Sequence, residues 1–384
     1  MKDLATRWRS VFIARRPARG AGAIAAGALA VALVATGASG AEPYTLTDLG
    51  LPAGATSAIG VRMNNVGEVA GWSQFAQAPF LRGWIWTEGD GFSVLPPPPG
   101  FTRYRAMDVN DGGTVAGDGG FDGGLAWRYR DGVYTIIGPV DGRPIAYLGG
   151  IDAAGGIAGT AKGSSFSTPD RAFLDVDGGG LLVLTPDFGG RATDVNDVGQ
   201  VSGYSSGSFG AFRWDPVDGL QFLGSLGLAF SFGNAINDLG QVVGEVLSAN
   251  GNTSIPFIFS DEKGMEAIPA PPTEHSPATG VNVWGHVVGT ADVTGPDLAW
   301  LWTPAEGLVD LDDLFDHAAH DVDTLEARDI NDAGQILAFG FDNDVADFGT
   351  VLLTPPEPLP EPGAALAFAA GAGLVWLLRR RGGA

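Results

Sequence analysis

The sequence predicts an all-β chain folded as a seven-bladed β-propeller closed by its N-terminal strand. Three observations carry this expectation. A block close to Ile-Asn-Asp-x-Gly-Gln-Val-Val-Gly recurs seven times, with its Asn position at Asn64, Asn110, Asp152, Asn196, Asn237, Asn282 and Asn331. The intervals run from 41 to 49 residues, and a period in the forties suits four-stranded blades. The two ends are complementary: the seventh repeat lacks a fourth strand, and residues 44–50 form a fourth strand with no first three. Finally, 60 Gly and 25 Pro spread over short alternating runs oppose long helices.

Each repeat divides in the same way. The first strand ends at the Ile-Asn position, as in Asn234-Ala235-Ile236. Asn-Asp-x-Gly then makes a hairpin turn, in which Asn and Asp bond locally and Gly supplies the positive φ. The second strand is Gln241-Val242-Val243-Gly244 and its equivalents. An aromatic third strand follows at 83–86, 126–129, 172–174, 211–214, 256–259 and 299–302. Gly turns at or near Gly91, Gly132, Gly178, Gly219, Gly264 and Gly307 lead into a fourth strand such as 219–224. In the seventh repeat the strands fall at 327–330, 335–338 and 350–353, and a Pro-rich linker follows. Setting residues 44–50 beside 351–353 closes the ring and hides both edges. An open solenoid or a sandwich does not explain the complementary ends.

The block, almost whole around Asn196, Asn237 and Asn331, resembles the HAF family of extracellular repeats over residues 44–353. Three copies depart from it: Asp152-Ala153 and Val283-Trp284 replace parts of the third and sixth, and Asn65 replaces Asp in the first. The resemblance implies a secreted bacterial protein and carries little chemistry.

Both ends read as addresses. Lys2, Arg7, Arg9, Arg15, Arg16 and Arg19 precede a short apolar run at 21–34, and Ser39-Gly40-Ala41 offers small residues for signal peptidase. Residues 1–41 are thus expected to be a signal peptide with a short helix, cut after Ala41. Residues 42–354 are the propeller, and 355–363 a Pro-rich linker. Residues 364–384 form a hydrophobic helix and Arg tail, with Pro360-Glu361-Pro362 before it and Arg379-Arg380-Arg381 after it. Sixteen apolar residues span about 24 Å as a helix, short for a hydrocarbon core of about 30 Å. This tripartite tail resembles the PEP-CTERM signal of Gram-negative bacteria, which implies recognition by an exosortase-type enzyme. The expectation is export across the inner membrane to the cell surface or matrix, with at least transient membrane contact through the helix. Cys is absent, so packing alone holds the exported domain.

Charge narrows the partners. The chain carries a formal net charge of −22, and without its two addresses about −28. Such a surface repels nucleic acid and anionic lipid. It keeps a secreted protein soluble and offers carboxylates to divalent cations.

Four groups of residues invite a functional reading. Ring symmetry gathers the Asn-Asp turns at one end of the channel, where Asp197, Asp238 and Asp332 are candidates for Ca²⁺; the same turns are what a tight hairpin needs. The acidic stretch Asp310, Asp312, Asp313, Asp316, His317, His320, Asp321 and Asp323 suggests a metal site if the histidines share a helix face. Against that, Leu311, Leu314 and Phe315 suit a capping turn. The aromatic third strands are better explained by packing than by sugar stacking, and Trp72 and Trp284, off that register, are expected at core or rim. As an enzyme the chain is poorly equipped: it keeps only Lys162 and Lys263 after processing, and it has no Gly-x-Ser-x-Gly, phosphate loop or His-Glu-x-x-His. The expectation is a cofactor-free, non-catalytic interaction module for extracellular polysaccharide or another matrix protein. The alternative is a polysaccharide hydrolase or lyase using paired carboxylates.

Overall fold

The computed structural model describes residues 43–359, apart from 120–123, 165–167, 207–209, 271–274, 293–296, 318, 344–346 and 358. The expected signal peptide, Ala41, the Pro360-Glu361-Pro362 motif, the hydrophobic helix and Arg379, Arg380 and Arg381 all lie outside these residues.

Seven four-stranded antiparallel sheets follow one another around a ring. Blades 1 to 6 occupy residues 55–94, 105–137, 145–183, 190–224, 230–267 and 278–310. Each runs in sequence order from the innermost to the outermost strand. Blade 7 takes three strands from 322–354, and its outermost strand is Thr45–Asp48. That strand pairs antiparallel with Asp347–Thr354, in the register Thr45↔Thr354 to Asp48↔Val351. Closure therefore forms as the complementary ends require. The inner strand of blade 7, Val322–Ile330, starts five residues before the expected position, so Val322 and Asp323 belong to the sheet.

No single core exists. Seven hydrophobic clusters each sit at a junction of adjacent blades, including Leu337 and Leu352 with Trp84 across the closure. The third strands supply Trp84, Trp127, Phe173, Phe212, Phe257 and Trp300, all fully buried, so these aromatics are packing groups. Each stands opposite a Gly of the second strand, as in Gly71↔Trp84 and Gly203↔Phe212. A Cβ on Gly203 would lie 2.6 Å from the Phe212 ring and 2.1 Å from the Arg191 carbonyl. In blade 7 the pair is Ala338↔Val351: where the ring is gone, the methyl returns. All seven inner strands also carry a register shift one or two residues before their last pair, as at Ala192/Asp194 and Gly233/Ala235. Such bulges re-aim side chains locally.

Candidate functional site

The Asn turns form a belt between blades. In every repeat the side-chain oxygen of the Asn position accepts the backbone N–H four residues on, as in Gln241 N–H to Asn237 Oδ1 at 2.9 Å. Sequence alone anticipates this local half. The other half crosses the ring: the Nδ2 of Asn64, Asn110, Asn196, Asn237, Asn282 and Asn331 each donates to the backbone carbonyl of the same position in the next blade. The last of these, Asn331 to Asn64, joins blade 7 to blade 1. Asp152 has no amide to give, so the belt has one gap, between blades 3 and 4.

The following residue repeats the device in the other direction. Asp111, Asp197, Asp238, Asp332 and Asn65 each use a side-chain oxygen to accept the backbone N–H of the preceding blade. The calcium candidates Asp197, Asp238 and Asp332 therefore do gather at one end of the channel, each with one oxygen committed to a neighbour's amide. Burial, then Asp238 and more weakly Asp111 and Asp152, push Asp197 up to about 6. Trp284, which replaces part of the sixth turn, donates its indole N–H to the Asp332 carbonyl and so sits at the rim. Among the described residues no three of Asp, Glu and His are placed to hold a metal ion.

One layer deeper the channel holds Arg62, Asp108, Asp194 and Asp329, around a cavity of about 130 Å³. The carboxylates of Asp108, Asp194 and Asp329 each accept two backbone N–H groups, one from the following residue and one from the next blade. These amides lie on inner strand edges that no sheet partner reaches, so the carboxylates satisfy donors otherwise left unpaired. Arg62 reaches across from blade 1 to blade 4, where its guanidinium bonds Asp194 Oδ1 at 2.9 Å and the Thr193 carbonyl at 3.1 Å. Burial opposes its charge, but Asp194, Asp108 and Asp329 hold its pKa above the ordinary guanidinium value. Burial raises Asp108 to about 7, with Arg62 pulling down and Asp194 and Asp329 pushing up. Asp329 rises to about 6 and Asp194 rises too, again chiefly by burial. A carboxyl near 7 has the acidity of a proton donor. Here, however, both oxygens are occupied by amides and the space beside it is small, so the layer serves to hold the ring.

The acidic stretch at 310–323 is dispersed into structural roles. Asp310 caps the 3₁₀ turn Leu311–Asp313, and Asp312 Oδ1 accepts from the Thr324 amide and hydroxyl. His317 Nε2 meets the Asp312 carbonyl at 2.9 Å and stacks on Phe315. His317 and His320 lie in a turn and share no helix face. Leu311 and Phe315 are buried, and Tyr44 N–H bonds the Leu314 carbonyl, so this capping turn also clamps the closing strand.

The opposite end of the inner strands carries a cleft that sequence reasoning did not identify. It has a volume of about 290 Å³ and is lined by Tyr147, Thr160, Arg191, Thr193, Tyr204 and Asn234, with Leu148 and Ala192 at its base. Blades 3, 4 and 5 build it. Arg191 Nε bonds Asp170 Oδ2 at 2.9 Å, and its guanidinium lies 5.2 Å from the Tyr147 ring centre. Tyr204 meets Phe232 edge-on at 4.8 Å. Tyr147 remains 50% exposed. Tyr147 and Arg191 share one register that does not keep one residue type: Ile59, Arg105, Tyr147, Arg191, Phe232, Pro277 and Glu326 stand five places before the Asn position. A departure from the repeat at a fixed register is the signal that would have found them.

A closed seven-bladed propeller with an aromatic-lined cleft among its described residues is the class of protein this geometry defines. Solved structures agree on the fold. The chain is similar to a streptogramin B lyase, with 12% identity, a TM-score of 0.52, and 81% of this chain matched to 98% of that one. It is also similar to virginiamycin B lyase from Staphylococcus aureus, with 14% identity, a TM-score of 0.53, and 81% of this chain matched to 99% of that one. At such identity the likeness is one of architecture alone. No family model and no curated protein matches the sequence.

Proposed function

We propose that this protein is an exported, cell-surface or matrix-associated interaction module that binds extracellular polysaccharide without cleaving it. The carrying observation is the division of labour between the two ends of the ring. The repeated acids at one end are engaged in inter-blade bonds, while the cleft at the other offers Tyr147, Tyr204, Arg191 and Asn234. Aromatic faces beside hydrogen-bonding side chains suit sugars, and among the described residues the cleft lining holds no carboxylate or imidazole for acid–base chemistry. The compartment rests on the two addresses in the sequence, with Pro360-Glu361-Pro362 and Arg379-Arg380-Arg381 read by an exosortase-type enzyme.

Two measurements test this. Incubating the protein with matrix polysaccharide from a host that carries it should give co-sedimentation and no new reducing ends; release of reducing or unsaturated ends would make it a hydrolase or lyase. In that host, Glu361→Ala should leave an uncleaved, membrane-retained form. Recovery of peptides from residues 366–378 in released wild-type protein would instead show a permanent anchor.

A further inference from the structure

The cleft is specific enough to name the chemistry of its ligand. Arg191 carries a full positive charge, but Asp170 stands against it at 2.9 Å, so the pair is neutral as a unit. Around it lies a chain of net charge −22. An anionic sugar approaching this site meets no net attraction locally and repulsion from the rest of the surface. A neutral sugar meets neither.

The accessible lining of the cleft is more apolar than polar, with a few hydrogen-bonding groups held at fixed points. Among the described residues, the hydrogen bonds of Arg191 use Nε and Nη1. Asn234 donates through Nδ2 to the Ala278 carbonyl at 2.9 Å, which fixes the amide and leaves Oδ1 as an acceptor. The half-exposed ring of Tyr147 is held from one side by the guanidinium and offers a flat face. A volume of about 290 Å³ is at the small end of ligand sites, fit for one or two sugar rings rather than a long groove.

Resting on the binding-module reading above, we propose that this cleft is the binding site and that its ligand is a neutral hexopyranose unit of a polysaccharide. The apolar face of the sugar stacks on the face of Tyr147 that the Arg191 guanidinium leaves uncovered.

Full-length protein in mild detergent should be titrated with four neutral probes, cellohexaose, maltohexaose, laminarihexaose and mannohexaose, and with hexagalacturonate as the acidic one. At least one neutral probe should bind, with an affinity that is unchanged when salt is raised, because no net charge is neutralised. Tyr147→Ala should weaken it about tenfold by removing the stacking face, and Tyr147→Phe should restore it. Both variants should melt like the wild type, since the ring is half exposed. Preferential, salt-sensitive binding of hexagalacturonate would overturn the neutral class. Neutral binding that survives Tyr147→Ala would overturn the site and leave the binding-module reading standing. If all four neutral probes fail while whole matrix polysaccharide is still retained, the ligand class is wrong. If matrix polysaccharide is not retained either, the broader reading falls with it.

Discussion

The one gap in the Asn belt can be filled by a single substitution. Asp152 occupies the Asn position of blade 3, and its Oδ1 already accepts the Gly156 amide at 2.6 Å. Asp152→Asn keeps that bond and supplies the amide nitrogen that the other six repeats direct at the carbonyl of the next blade, here that of Asn196. The six existing bonds of this kind measure 2.7 to 3.1 Å. One more such bond contributes a net of about 0.5–1.5 kcal/mol. The change also removes a carboxylate whose charge adds to the raised pKa of Asp197, so both effects have the same sign. A gain of about 1 kcal/mol corresponds to about 2 °C in a domain of this size. Differential scanning calorimetry at neutral pH, at low and high salt, checks it. The hydrogen-bond share survives high salt and the charge share does not. As a counterpart, Asn237→Asp opens a second gap, leaves the buried Asn282 carbonyl without this donor, and should cost about 1–3 kcal/mol. Neutral outcomes for both substitutions would refute the belt as a source of stability.

Three further outcomes follow from the same geometry. Asp108 near 7 and Asp329 near 6 lie above the ordinary carboxylate value of about 3.9, so between those values the folded state binds more protons than the unfolded one. Stability from this layer therefore falls as pH rises from about 4 to about 7; Arg62→Met, which removes the channel's cation, should lower the melting temperature more at pH 8 than at pH 5, and an equal loss at both would refute it. Deleting residues 44–50 should expose the edge of Asp347–Thr354 and bring aggregation or loss of cooperative melting, whereas an unchanged melt would refute strand closure. Asn65 already accepts the Asp332 amide as an Asp would, so changing Asp197, Asp238 and Asp332 together to Asn should leave melting within about 1 °C or raise it; a Ca²⁺-induced rise present in the wild type and lost in this variant would return the turns to metal binding.

Most of the fold was legible because its signals are local. Strand, turn and aromatic positions recur within each repeat, and the mismatch between residues 44–50 and 350–353 follows from counting strands. The Gly203–Phe212 pairing and its exchange for Ala338–Val351 were also present in the sequence, though only strand register shows why they change together. The sites were less legible because their partners lie at least one repeat away. Asn237 Oδ1 bonds within its own turn, but its Nδ2 partner is Asn282, 45 residues on. Arg62 meets the Thr193 carbonyl 131 residues on and Asp194 beside it, which no local pattern suggests. Tyr147, Arg191 and Tyr204 break the repeat in three different ways; Arg191 and Tyr204 pair across one hairpin, but only the ring brings Tyr147 beside them. The acidic stretch misled for the converse reason: its residues are close in sequence, but Asp310 caps a turn, Asp312 holds Thr324 and Asp323 is a strand residue.

Hydrogen-exchange mass spectrometry with and without bound polysaccharide tests most directly the claim that one end of the ring holds it together and the other binds. Protection is expected in the strands Ile145–Ile151, Gly190–Val195, Val201–Ser205 and Phe230–Ile236, which carry the cleft, with no change at the turns following Asn64, Asn110, Asn237 and Asn331. Protection confined to those turns would contradict the account.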